Sequence, residues 1–323
     1  MRLWQLRQTS IRQCCRLRRC AEGARSCVLT HLKEHSDAAT MSAPPVAYPA
    51  EDGVAEMGAR WLAHIDTFEG MIAPVGSALL EKADLRPGER VVDIGCGGGT
   101  TTIAAGRLVA PDGEALGVDI SAALIARAMD RASIAGVANV RFECADASVY
   151  SGDDDRFDRL ISRFGSMFFP DPYAAFANLH MLIRPGGRID LAVWAAPRDN
   201  PWMSAMISVV RRYLDLPRPE PHAPGPFAFK DPAYLRDILE SAGFDKVGFD
   251  AWTGHLPFAG PGASSADAVT FALEGMAFRD KVAALDPPAR DALARDLVDL
   301  YQGHATGQGV MMPARVWLVQ ATA

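Results

Sequence analysis

The sequence lacks any uninterrupted apolar run of about 18 residues, the minimum length of a membrane-spanning helix. Its mean hydropathy is also close to zero, at +0.02. The chain nevertheless has 323 residues, of which 49% are apolar, and this is enough to bury a hydrophobic core. These properties predict a soluble protein that has no membrane partner.

Cysteine is also scarce, and no two cysteines form a C-x-x-C pair. Four of the six lie within the first 40 residues: Cys14, Cys15, Cys20 and Cys27. The other two, Cys96 and Cys144, fall in a predicted turn and a predicted strand. This usage indicates neither a zinc site nor a disulfide framework, so we predict a reduced, cytoplasmic setting and no bound metal.

Positive charge is concentrated at the start of the chain. Residues 1–40 contain eight basic and three acidic residues, whereas residues 41–323 carry a net charge of −11. An acidic body repels a phosphate backbone, so a nucleic-acid partner is disfavoured. Residues 1–40 resemble an organellar transit peptide, or translation begins at Met41 and they are an over-extended start. In both cases we exclude them from the fold as a disordered or mis-assigned extension.

The remaining residues, 41–323, have the pattern of one α/β domain. Apolar spacing predicts helices over 54–84, and from Arg90 onward short β-branched runs alternate with amphipathic helices. Strands are predicted near 90–95, 115–119, 140–145, 157–162 and 187–194, with a last strand at 315–321. Such alternation is typical of a doubly wound, mostly parallel sheet with helices on both faces, and we predict seven strands.

Capping residues predict where several helices begin and end. Ser121 and Gly136 bound one helix, and Asp231 and Gly243 bound another, while Asp286 caps a third. The inner face of the first helix is predicted to carry Leu124, Ile125, Ala128, Met129 and Ala132.

Two segments interrupt the alternation, at 196–230 and 255–308. Such insertions lie over the carboxyl ends of strands, where open α/β sheets bind ligands, so we predict that both cover the substrate.

The first strand leads directly into the glycine-rich turn Gly95-Cys96-Gly97-Gly98-Gly99. Glycines at this junction permit positive φ and let a ligand touch backbone N–H groups. The dinucleotide pattern G-x-G-x-x-G fails because Thr100 and Thr102 occupy the positions of its last glycine. The P-loop pattern fails as well, since no Gly-Lys-Ser/Thr follows. What remains is D-x-G-x-G-x-G, starting at Asp93.

This motif resembles the first motif of class I S-adenosylmethionine-dependent methyltransferases, an acidic residue followed by alternating glycines. Asp93, Gly95, Gly97 and Gly99 match it position for position. The resemblance implies a Rossmann-like methyltransferase fold with a cofactor-binding core at 85–195. It also implies that the turn, including Cys96, contacts the methionine part of S-adenosylmethionine.

Three further landmarks follow in the family's order. Asp119 ends the second strand, where the resemblance implies that it binds the ribose hydroxyls beside Ile120. Asp146 and Ala147 resemble the family's adenine-binding segment, and Ser162 ends the fourth strand at the same sheet edge. Ile183 to Gly187 is similar to the family's L-x-P-G-G turn, with isoleucine leading. An acid at a strand end could also simply cap the next helix, which is the alternative for Asp119 and for Asp146.

The resemblance implies methyl transfer to a small metabolite, and the rest of the chain is broadly similar to quinone-biosynthesis C-methyltransferases. The absence of an N-P-P-Y-type strand end favours a small, partly apolar acceptor over a nucleic acid. The alternatives are an inactive methyltransferase-like protein that binds the cofactor and a nucleotide-dependent oxidoreductase. His255 is a weak candidate for a general base, and His222, Tyr213 and His64 are weaker ones. Aromatic and methionine residues that could line an acceptor pocket, or simply pack in the core, are Met167, Phe168, Phe169, Trp202, Met203, Phe227, Phe229 and Phe258.

Overall fold

A computed structural model of the chain describes residues 58–152, 156–218 and 220–323. The predicted N-terminal extension and the start of the predicted N-terminal helices lie outside these residues. The described strands are Arg90–Ile94 (β1), Glu114–Asp119 (β2), Val140–Cys144 (β3), Phe157–Arg163 (β4), Ile183–Trp194 (β5), Asp245–Pro257 (β6), Ala305–Thr306 (β7) and Gly309–Thr322 (β8).

The strands form a sheet in the order β3-β2-β1-β4-β5-β8-β6, with the short β7 pairing with β8. β1 to β5 pair in parallel, and β8 is antiparallel to both β5 and β6. This confirms the predicted α/β class with its mostly parallel sheet; among the described residues seven strands form the continuous order and β7 is a short eighth strand. The carboxyl ends of β1, β2, β3, β4 and β5 therefore meet at one edge.

The helices that pack around this sheet are α1 (Ile65–Ala83), α2 (Thr100–Val109), α3 (Ala122–Ala135), α4 (Pro172–Leu182), α5 (Pro201–Val210), α6 (Pro232–Ser241), α7 (Ser265–Gly275), α8 (Arg279–Ala283) and α9 (Pro287–Gln302). A short helical segment at 58–63 precedes α1. Helix α1 packs against β4, β5, β6 and β8, whereas α2 packs against β1, β2 and β3. None of the helices in the described residues has both the length and the apolar character needed to cross a membrane.

The predicted caps are present. The Ser121 hydroxyl accepts a hydrogen bond from Leu124 N at 3.4 Å, and Asp231 accepts one from Ala233 N at 3.0 Å. Asp286 accepts one from Ala289 N at 2.7 Å. Each bond satisfies a backbone N–H that has no partner within its own helix. Local sequence therefore determines where α3, α6 and α9 begin.

The predicted inner face of α3 is correct except at Met129. Leu124, Ile125, Ala128 and Ala132 are buried, but Met129 is 56% exposed. Successive helical residues are about 100° apart, so Met129 lies further round the helix than Ile125 and leaves the buried stripe.

The second predicted cover segment, 255–308, overlaps strands at both of its ends, since the short β7 (Ala305–Thr306) also lies within it. Strand β6 continues to Pro257, so 255–257 belong to the sheet rather than to the second cover segment. The rest of that segment supplies α7 to α9, and the segment at 196–230 supplies α5.

Candidate functional site

The glycine turn between β1 and α2 combines close packing with one open position. Gly95 and Gly97 have backbone φ angles of +67° and +55°. A residue with a β-carbon adopts such positive φ angles only at a cost in conformational energy. A β-carbon placed on Gly95 would stand 2.6 Å from Gly165 Cα. One placed on Gly97 would meet nothing closer than Trp61 Nε1, at 3.8 Å. Gly95 therefore serves packing, whereas Gly97 borders the space that a ligand can enter.

Asp119 holds this turn in place from the end of β2. Its two carboxylate oxygens accept hydrogen bonds from Gly97 N and Ser121 N, each at 2.9 Å. Burial raises the pKa of Asp119, and the two backbone hydrogen bonds oppose this shift. Each carboxylate oxygen can accept a second hydrogen bond, so Asp119 can also bind the hydroxyls of a ligand.

Asp93 lies beneath the turn and not on its open side. Its side chain is buried, and Oδ2 accepts a hydrogen bond from Thr102 Oγ1 at 2.7 Å. Burial raises the pKa of Asp93 to about 7, while the Thr102 hydroxyl and the Arg163 guanidinium favour its charged form. Asp93 therefore links the end of β1 to α2, and near pH 7 its carboxyl group is only partly charged.

A buried ion pair, which sequence reasoning did not identify, completes the charge distribution. Glu69 of α1 binds Arg163 at the end of β4, and the two residues are 7% and 9% exposed. Glu69 Oε1 lies 4.0 Å from a β-carbon placed on Gly97. Three carboxylates, those of Glu69, Asp93 and Asp119, thus stand around the turn with one guanidinium. The local field favours a cationic ligand.

The segment from 58 to 69 crosses the open side of the turn. A β-carbon placed on Gly98 would meet Ile65 Cδ1 at 2.5 Å. Arg131 donates to Gly98 O at 3.1 Å and to Asp66 Oδ1 at 2.5 Å, which ties the turn to α1. Trp61 and Phe68 stack with ring centroids 4.2 Å apart. This segment therefore forms one wall of the candidate site.

A second aromatic group lies at the ends of β4 and β5. Phe164 has φ of +64°, which is uncommon for a residue with a large side chain, and its ring stacks on Trp194 at 4.1 Å. Trp194 also contacts Trp202, at 4.8 Å. Uncommon backbone conformations concentrate at functional sites, and this one adjoins Gly165, which packs against Gly95.

The predicted adenine-binding residues lie at the ends of β2 and β3. Asp146 Oδ1 accepts hydrogen bonds from Ser148 N at 2.9 Å and from Ser148 Oγ at 2.7 Å. These bonds close a turn at 147–149, and among the described residues no helix begins there for Asp146 to cap. Ile120 is 41% exposed, whereas Ala147 is buried. The two strand ends are joined by Ala145 N, which donates to Asp119 O at 3.0 Å. The role of these residues in cofactor binding stays a prediction.

Cys96 and Ser162 face inward. Cys96 is buried, and this burial raises the pKa of its thiol. The Ser162 hydroxyl donates to Ile94 O at 2.8 Å and accepts from Ser166 N at 3.1 Å. These side chains support the turn from below, so any contact of Cys96 with the cofactor would use its backbone.

The candidate general bases lie far apart. His255 is exposed on β6, four strands from β1, which corresponds to roughly 19 Å at the usual strand spacing. Tyr213 donates to Asp296, which raises the pKa of Tyr213, and His222 is exposed beside Tyr234. His64 lies one helical turn from Trp61, with its ring edge-on to Phe271 at 6.0 Å. His64 thus lies on the segment that forms this wall, with its ring against Phe271 of α7, whereas His255 lies four strands from β1.

The residues named as possible acceptor lining belong largely to the core. Met167, Phe169, Trp202, Phe229 and Phe258 are buried, and Phe168, Met203 and Phe227 pack against the same cluster. Among the described residues, no group of three or more His, Cys, Asp or Glu is placed to hold a metal ion.

We expect the stability of the protein to depend on pH through Asp93. Because the folded pKa is raised from 3.8 to about 7, the folded state holds a proton that the unfolded state has lost. The contribution of Asp93 is therefore complete below about pH 4 and is lost as the pH rises towards 7. Urea unfolding of the wild type and of Asp93→Asn between pH 5 and 8 measures this loss. Relative to Asp93→Asn, the free energy of unfolding of the wild type should fall as the pH rises to 7, and the difference should then level off. A difference that is constant over the whole range would contradict the assignment.

Comparison with known proteins shows similarity to methyltransferases. Residues 91–187 match a family described as a methyltransferase domain. The chain is 30% identical over 195 residues to a ubiquinone/menaquinone biosynthesis C-methyltransferase of Stutzerimonas stutzeri, covering 55% of this chain and 73% of that protein. It is 28% identical over 244 residues to a nocamycin O-methyltransferase of Saccharothrix syringae, covering 72% of this chain and 85% of that protein.

Two other similarities cover smaller and larger shares of the chain. An uncharacterised protein of Mycobacterium bovis is 32% identical to this chain over 145 residues. The aligned region covers 50% of the length of that protein. The solved structure of the YcgJ protein of Bacillus subtilis superposes with a TM-score of 0.50 at 19% identity, covering 76% of this chain and 97% of that one. This last similarity confirms the predicted fold.

Proposed function

Because the chain belongs to the class I S-adenosylmethionine-dependent methyltransferase family, we propose that it transfers the methyl group of S-adenosylmethionine to a small, partly apolar metabolite. The observation that carries the proposal is the surplus of carboxylates around the open position at Gly97. S-adenosylmethionine has a sulfonium, an ammonium and one carboxylate, so its net charge is positive and complements this surplus.

The residues of the turn fit the parts of this cofactor. The backbone N–H groups at the start of α2 suit its carboxylate, and Glu69, Asp93 and Asp119 supply negative potential near its ammonium. The free lone pairs of Asp119 are suited to the ribose hydroxyls, and the exposed Ile120 offers an apolar surface beside Asp146. When bound, the cofactor supplies an electrophilic methyl group.

The chain contributes mainly by holding an acceptor in line with that methyl group and by excluding water, which can supply several kcal/mol of the barrier. Trp61, which is partly exposed beside the turn, suits an apolar acceptor, and it is held by the buried Phe68 on which it stacks. The relatives named after nocamycin and after ubiquinone or menaquinone act on small molecules of this kind, which supports the same class here. If the acceptor is a hydroxyl, His64 is better placed than His255 to accept its proton.

Calorimetry and turnover together test the proposal. We expect the full-length protein to bind S-adenosylmethionine with micromolar affinity and to transfer a labelled methyl group to a compound in a metabolite extract, which mass spectrometry then identifies. Binding without transfer to any extract would favour an inactive cofactor-binding protein. No binding of S-adenosylmethionine, together with binding of NAD(H), would favour an oxidoreductase instead.

A further inference from the structure

A second pocket lies away from the glycine turn and has a different charge. It has a volume of about 460 Å³ and opens where the end of β5, the start of α6 and the first half of β8 meet. Its lining comprises Ala196, Arg198, Asp199, Lys230, Asp231, Pro232, Arg315 and Trp317. None of these residues belongs to the candidate cofactor site.

Two hydrogen-bond donors in this pocket's lining have no partner. Arg315 Nε and Trp317 Nε1 are buried, and neither finds an acceptor among the described residues. Arg315 and Trp317 are two residues apart on β8, so their side chains lie on the same face of the sheet. Buried N–H groups are almost always paired, and an unpaired pair of them at a pocket favours a ligand that supplies acceptor atoms.

The position of the Arg315 side chain is set by its neighbours. The Arg315 guanidinium carbon lies 4.9 Å from the centroid of the Trp317 ring, and Arg315 N donates to Asn200 Oδ1 at 3.0 Å. The Asn200 side chain in turn donates to Ala195 O and Arg315 O, so it joins the end of β5 to β8. Stacking on an indole fixes the plane of a guanidinium group. The edge of the guanidinium can then donate a bidentate pair of hydrogen bonds.

The remaining charges of the pocket leave a positive surplus. Arg198 and Asp199 lie 3.9 Å apart and offset each other. Asp231 accepts a hydrogen bond from Ala233 N and so caps α6. Neither Lys230 nor Arg315 has an ion-pair partner within the described part of the chain. The lining thus carries three cations (Arg198, Lys230 and Arg315) against two carboxylates (Asp199 and Asp231), a net charge of +1, whereas the glycine turn presents an excess of carboxylates.

We propose that this pocket binds an oxyanion, the carboxylate or phosphate group of a small molecule. The Nε and Nη edge of the Arg315 guanidinium suits two oxygens of such a group, and binding requires this side chain to shift because Nε is buried in the structure. The Trp317 N–H and the Lys230 ammonium supply the further contacts. Paired donors on one guanidinium edge match the two oxygens of a carboxylate or phosphate. The inference goes beyond methyl transfer and does not depend on it.

The indole N–H signal of Trp317 reports directly on this pocket. The full-length protein contains six tryptophans, so a ¹⁵N-tryptophan-labelled sample gives six indole signals, and Trp317→Phe identifies the one that matters. We expect inorganic phosphate or sodium benzoate to shift this signal saturably. Arg315→Gln should raise the apparent dissociation constant at least tenfold, while Arg279→Gln, an arginine outside the pocket, should leave it unchanged. The other indole signals show whether each variant is folded.

The two probes separate the sources of the oxyanion. A saturable shift with phosphate alone supports a phosphate ligand, and one with benzoate alone supports a carboxylate on an apolar body. Sodium chloride at matched ionic strength controls for general salt effects. Equal shifts with all three salts, no shift with any of them, or an unchanged titration in folded Arg315→Gln would each overturn the proposal.

Discussion

Glu69→Ala is expected to lower the free energy of unfolding by about 3–5 kcal/mol, because it leaves the Arg163 guanidinium buried without its main partner. Arg163 Nε already has no hydrogen bond within the described residues. Asp93 interacts electrostatically with Arg163 but is itself buried and bound to Thr102, so it does not replace Glu69. Urea unfolding followed by circular dichroism measures the effect.

Two further variants separate the buried charge from the loss of packing. The double variant Glu69→Ala/Arg163→Met removes both charges, so it should recover much of the stability that the single variant loses. Asp280→Ala removes one partner of an exposed pair with Arg279 and should unfold like the wild type within about 0.5 kcal/mol. A Glu69→Ala protein as stable as the wild type would mean that this pair is not a buried unit.

Asp119→Ala is expected to weaken binding of S-adenosylmethionine by about 1–3 kcal/mol, roughly 5- to 150-fold, measured by calorimetry. Two losses contribute to this effect. The variant removes the acceptor proposed for the ribose hydroxyls. It also releases Gly97 N and Ser121 N, which the carboxylate holds at 2.9 Å, so the turn is no longer held in its binding conformation.

Conservative and remote variants make this second test specific. Asp119→Asn keeps one carbonyl oxygen and should lie between Asp119→Ala and the wild type. Asp112→Ala changes an exposed acid in the loop between α2 and β2, at the opposite edge of the sheet, and should bind like the wild type. Equal affinity in Asp119→Ala and the wild type would remove Asp119 from the cofactor site without affecting the fold assignment.

The proposed cofactor site and the proposed oxyanion pocket lie at the same edge of the sheet but have opposite charge. The glycine turn follows β1, and the pocket adjoins β8, three strands away, or roughly 14 Å at the usual spacing. Carboxylates at the turn favour a cation, whereas Arg315 and Lys230 favour an anion. This separation means that Asp119 and Arg315 variants should each affect one ligand and spare the other.

Features that depend on neighbouring residues could be predicted well. Ser121, Asp231 and Asp286 cap their helices as expected, and the glycine turn follows β1 directly, because a cap or a turn is decided within a few residues. The strand and helix periods also sufficed for the fold class. Met129 shows the limit of this approach, since a position at the margin of a helical face can be buried or exposed.

Local patterns in the amino-acid sequence were enough to predict the α/β class, the glycine turn, Asp119 at the end of β2 and Asp146 just after β3. Each of these depends on local backbone preference or on periodic apolar burial. Only the tertiary structure decided that Glu69 pairs with Arg163, that Trp61 lies beside Gly97 and that Arg315 stacks on Trp317 at a separate pocket. It also separated His255 from the turn. Contacts between residues far apart in the chain depend on the order of the strands in the sheet and on how the helices pack across it. No local sequence pattern specifies which of these distant side chains meet.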